Sequence, residues 1–138
     1  MKMKKTAAAA IAALMTAGSI VSASAAGIGF VNSAALLQAH PKMEKAQLDM
    51  RNAAQKAQEN FNSRANGKSD QEKQQIATEI QRDLDQKEAS VMQPILNDIR
   101  KAIQQVRQEQ GLDVILDGGA VVDGGTDVTS AVSAKIGK

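Results

Sequence analysis

Few side chains in this sequence could do covalent or metal chemistry. There is one histidine, His40, and no cysteine, which excludes thiol nucleophiles and thiolate metal sites. A histidine works as a general base only with a second group held beside it. His40 precedes Pro41, with no carboxylate or hydroxyl placed next to it by the local sequence, so ending a helix is its simpler role. Asp113, Asp117, Asp123 and Asp127 recur at intervals of four to six beside glycines. Such crowding invites calcium, but the ligand order of an EF-hand loop is missing. Turns and a helix start account for these aspartates. Gly124-Gly125-Thr126 has neither the lysine nor the length of a phosphate-cradling loop. The expectation is a non-enzyme with no metal and no cofactor.

What remains to explain is how the other residues are organised. Lys2, Lys4 and Lys5 precede an alanine-rich apolar stretch from Thr6 to about Val21, and Ala23 and Ala25 form an A-x-A pattern. This is the layout of a cleaved secretory leader over residues 1–25, with the cut between Ala25 and Ala26. The stretch is short of the roughly 20 residues a spanning helix needs. Three of the 17 basic residues and none of the 15 acidic ones lie in it, so the mature chain carries 14 against 15, a formal −1. That balance points away from nucleic acid and leaves any membrane association indirect. Phe30 and Phe61 are the only aromatics, too few for an aromatic core.

The middle of the chain reads as two helices. From Lys42 to Ala65 there is no proline or glycine, and apolar residues recur every three or four positions: Met43, Ala46, Met50, Ala53, Ala54, Ala57 and Phe61. Asn66-Gly67 is a helix stop, and Ser69-Asp70-Gln71-Glu72 fits a capping box that opens a second helix. That helix runs from about Asp70 toward Gln110, with Ile76, Ile80, Leu84, Val91, Ile95, Ile99, Ile103 and Val106 on one face. Lys87 and Glu88 interrupt the stripe, and Pro94 predicts a kink or local stop. In one antiparallel register, Phe61 meets Ile76, Ala57 meets Ile80, Ala54 meets Leu84, Ala46 meets Val91, and Met43 meets Ile95. Small residues on one helix then face large ones on the other. The paired length is about 30 Å, and one stripe per helix makes an exposed arm rather than a core.

The flanks read as a small body. Ile28-Gly29-Phe30-Val31 is a short strand, and Asn32 or Ser33 can cap a helix over Ala34 to Ala39. After Gly111, Val114-Ile115-Leu116-Asp117 reads as a strand, Gly118-Gly119 as a tight turn, and Ala120-Val121-Val122 as a returning strand. Thr126 can then cap a last helix with Val128, Ala131, Val132 and Ile136 on one face. Counted over about Ile28 to His40 and Asn97 to Lys138, the body holds roughly 55 residues, a size that is marginal alone without disulfides or metal. Its open strand edges want partners. The expected architecture is α+β, mostly α: a small β body completed by oligomerisation, through Ile28, Phe30, Val114, Leu116 and Val121, and a protruding helical hairpin.

Three segments carry a resemblance to the Skp/OmpH family of periplasmic chaperones. These are Ile28-Gly29-Phe30-Val31-Asn32; Pro94-Ile95 through Ile99, Ala102-Ile103 and Val106 to Gly111-Leu112-Asp113-Val114-Ile115-Leu116-Asp117; and Ala120-Val121-Val122 with Gly124-Gly125-Thr126-Asp127-Val128-Thr129 and the final helix. The resemblance implies one domain over 26–138, with a body of 26–41 and 95–138 and an arm of 42–94. It implies a homotrimer whose three arms enclose a cavity, and an ATP-independent holdase that keeps unfolded outer-membrane proteins from aggregating. On that reading the flexible Met43 and Met50 could meet irregular clients, although their spacing assigns them first to the hairpin seam. The rival expectation is a coiled-coil adaptor that binds one folded envelope partner.

Overall fold

The computed structural model describes residues 27–137. The expected leader and its cut between Ala25 and Ala26 lie outside them. Strand β1 (Ile28–Val31) passes through Asn32 into helix α1 (Ser33–Ala39). Asn32 is extended, and its side chain accepts from the Ala35 N–H, satisfying one of the donors that a first helical turn leaves free. His40 caps the far end by donating its own N–H to the Leu37 carbonyl. Helices α2 (Met43–Ala65) and α3 (Asp70–Glu109) follow. Between them Gly67 takes φ +74°, and Ser69 and Glu72 close a reciprocal capping box.

Helix α3 continues through Pro94 for 40 residues, so the proline does not end it. An interior proline costs about 3 kcal/mol. Just beyond it Ile95, Ile99, Ala102 and Val106 are all buried, and full burial of one large aliphatic side chain contributes about 1.5–3 kcal/mol. The buried face therefore outweighs the lost N–H.

Gly111 (φ +62°) ends α3, and β2 (Val114–Asp117) follows. The sheet order is β2-β1-β3, with β1 paired parallel to both neighbours. The third strand corrects the sequence reading. Gly118–Ala120 is a 3-10 turn, Val121 and Val122 form no strand, and β3 is Thr126–Asp127. The two β-branched valines have the better strand propensity, but tertiary contact decides. Gly124 and Gly125 (φ +80° and +83°) turn the chain. A Cβ on Gly125 would lie 3.3 Å from both the Ile28 carbonyl oxygen and a Phe30 ring carbon. This close passage delivers Thr126–Asp127 to the free edge of β1 and leaves Val122 fully exposed. Helix α4 (Thr129–Ser133) begins later than the expected cap at Thr126. Asp127 shapes its start, accepting from the Thr129 N–H at 2.9 Å.

The core lies under the inner face of the sheet. Val31, Leu36, Ala46, the α3 residues Ile95 to Val106, and Val128, Val132 and Ile136 form one cluster. Ile95, placed by the sequence in the hairpin seam, is thus a core residue of the body, with Met43 packed at its margin. Helices α2 and α3 lie antiparallel. Arg64 pairs with Glu79 near their junction, and His40 with Asp98 at the other end. Among the described residues, no helix is long and apolar enough to cross a membrane.

Candidate functional site

Two surfaces bring the singled-out residues together. The first is the outer face of the sheet. Side chains alternate along a strand: Gly29 and Val31 are buried, so Ile28 and Phe30 point outward. The parallel register sets Val114 beside Ile28 and Leu116 beside Phe30. Ile28, Val114 and Leu116 keep 42%, 37% and 38% of their surface exposed. Phe30 is half-buried between loops, with Gly118 and Gly125 passing close on either side. Four of the five residues expected at the body surface thus share one apolar strip. Val121 is half-buried after the 3-10 turn instead, and its neighbour Val122, which the sequence reading gave to a strand, is the bare one. Among the described residues, both outer strands leave an edge without a partner.

The aspartates near this strip are ties. Ser33 donates its hydroxyl to Asp117, and the Gly119 N–H donates to the same carboxylate at 2.9 Å. Thr129 donates its hydroxyl (2.6 Å) and its N–H (2.9 Å) to Asp127. The Asn32 N–H donates to Thr129 Oγ1 at 3.0 Å, and the Gly27 N–H to Asp113 at 2.9 Å. Among the described residues, no three acidic or histidine side chains gather into a metal cluster.

The Ser33 hydroxyl, then the Gly119 N–H, holds the Asp117 carboxyl below the usual aspartate range. The Thr129 hydroxyl, then its N–H, does the same for Asp127. A carboxyl lowered on folding contributes stability that is present above its unfolded pKa, about 3.9, and is lost as pH falls through the folded value. Acid should therefore loosen the joints from β2 to α1 and from β3 to α4 below about pH 4. Protection of the Gly119 and Thr129 amides, measured against the intrinsic exchange rate at each pH, should fall there. In Asp117→Asn with Asp127→Asn it should be low at neutral pH and nearly flat on acidification.

His40 occupies the joint between the helices and the body. Its side chain has no solvent exposure, and Nε2 lies 3.0 Å from Asp98 Oδ2. Nδ1 accepts the Lys42 N–H at 3.1 Å. A neutral ring protonated on Nε2 satisfies both contacts. His40 thereby ties the start of α2 to α3, in a place where the sequence alone offered no partner for it.

The second surface is the α2–α3 pair. On α3, Ile76, Ile80 and Ile95 are buried, while Leu84 and Val91 are half-buried. On α2 only Ala46 and Ala65 are buried; Met43, Met50, Ala53, Ala57 and Phe61 are half-buried. Ala54 is exposed, and Ala53, one residue earlier, faces α3 in its place. The spacing from Met43 through Ala46 and Met50 continues at 53, which a choice between adjacent alanines did not resolve. Midway along the pair a cleft of about 220 Å3 is lined by Ala53, Lys56, Ala57 and Asn60 of α2 and by Ile80, Asp83, Leu84 and Lys87 of α3.

A family model described as Outer membrane protein (OmpH-like) matches residues 66–136, from the turn before α3 to just past α4. No curated protein matches the chain.

Proposed function

The chain belongs to the OmpH-like family, and from that premise we propose that it is an ATP-independent periplasmic holdase for unfolded outer-membrane proteins. Membership of the family supports a periplasmic, chaperone-type role. In the finer reading, residues 26–41 and 95–138 make a body that trimerises through Ile28, Phe30, Val114 and Leu116. Residues 42–94 project from it as a hairpin arm, and three arms surround the client.

One observation carries this reading. Helix α2 has 23 residues but buries only Ala46 and Ala65. A helix so thinly packed presents a long, wet surface of small apolar and polar side chains. Such a surface supports many weak, adaptable contacts with an unfolded chain. The half-buried Met43 and Met50 would add pliable contacts at the base of the arm.

The test is native mass spectrometry of the chain from Ala26, without nucleotide, before and after an outer-membrane barrel protein is diluted into it from urea. A trimer that captures one client supports the reading. A single chain that ignores the client but binds a folded envelope protein would replace it with the adaptor role.

A further inference from the structure

We propose that the cleft midway along α2 and α3 is a side-chain receptor. It takes one aromatic or large aliphatic side chain of an unfolded segment that carries a carboxylate beside it. This rests on the holdase reading and specifies its ligand. The cleft exists because the seam is mismatched. Ala53 and Ala57, half-buried, stand opposite Ile80, which is buried, and Leu84, which is half-buried. One turn further along α3, Lys87 and Glu88 replace the apolar residue that would have closed the stripe. The floor is therefore aliphatic and open to solvent.

Its size and rim select the occupant. An apolar cavity of about 150 Å3 suffices for a benzene ring, and this cleft measures about 220 Å3. An unfolded segment exposes every one of its large apolar side chains, whereas a folded chain buries most of them. The rim consists of Lys56, Asn60, Asp83 and Lys87, all exposed, with two cations to one anion. Among the described residues neither lysine is held in an ion pair. Lys87 also lies in the field of Asp49, whose carboxylate is bonded to Lys45; both rim ammonium groups can still meet a carboxylate flanking the inserted side chain, while Asn60 can pair with its backbone.

The protein has no tryptophan and no tyrosine, so a tryptophan peptide can be followed against a dark background. The probes are two capped hexapeptides of glycine and serine with one central tryptophan, flanked in one by aspartates and in the other by lysines. The intact protein should shift the emission of the acidic peptide to the blue and bind it about tenfold more tightly than the basic one. Ala57→Leu fills the cleft; it should weaken the acidic peptide at least tenfold without lowering the melting temperature. Lys56→Glu with Lys87→Glu, on exposed positions, should reverse the preference between the peptides, and it decides the matter if Ala57→Leu fails to fold. Equal binding of both peptides, or binding unaffected by the charge reversal, overturns the proposal. Client capture is measured in parallel. Peptide binding without capture retains the cleft site and removes the holdase reading; capture without peptide binding does the opposite.

Discussion

Replacing Leu36 with alanine should destabilise the protein by about 3 kcal/mol and lower its melting temperature by on the order of 10 °C. Leu36 has no solvent exposure and sits in the core among residues of α1, α3 and α4. It is the residue through which the short α1 is anchored, because no other α1 side chain is buried. Removing three carbons there leaves a void that the long α3 cannot collapse into without bending. The matched control is Leu48→Ala on α2, where the same side chain keeps 51% of its surface in water; its cost should stay within about 0.5 kcal/mol. Urea unfolding of both variants measures the contrast. Equal losses would mean that the core does not lie beneath the sheet.

Charging the outer face of the sheet should have the largest effect on assembly. Ile28→Asp with Leu116→Asp places two carboxylates in the strip formed with Phe30 and Val114. Both positions are exposed in the single chain, so the fold should survive, with an unchanged far-ultraviolet circular dichroism spectrum. A carboxylate forced into an apolar interface without a partner costs several kcal/mol. Association should weaken at least thirtyfold, the equivalent of about 2 kcal/mol. The native mass should fall to that of one chain, and client capture should fall with it. An unchanged oligomer would show that copies meet elsewhere.

Local chemistry made much of this fold legible. The asparagine cap at Asn32, the stop at Asn66-Gly67 and the box formed by Ser69 and Glu72 each depend on neighbours within three residues, and the boundaries of α2 and α3 follow from them. The strand over Ile28-Gly29-Phe30-Val31 was legible as well, and its burial pattern then sets Ile28 and Phe30 outward. Long-range competition was not legible. Val121-Val122 outscores Thr126-Asp127 as a strand, yet the edge of β1 goes to the segment that the glycines steer beside Phe30. Pro94 reads as a break because its cost is local, whereas the burial that offsets it is spread over the next three turns. At the candidate site, the stripe of α2 gave the face but not the choice between Ala53 and Ala54. The tie from His40 to Asp98 joins residues that no spacing rule connects.

The parallel sheet has a consequence for how the molecule is made. Strand β1 is the first described element to be synthesised, and both of its partners are among the last. The helices between them need only near neighbours and can form early, whereas distant pairing is slow because a long loop must first close. A nascent chain therefore holds Ile28 and Phe30 unpaired until the segment from Val114 to Asp117 has been added. A chain cut short before Thr126 could raise both long helices yet never finish the sheet. The apolar strip needs only β2 beside β1, so it is assembled after Leu116 has been made and before β3 closes the other edge: the surface that faces outward is built before the sheet beneath it is complete.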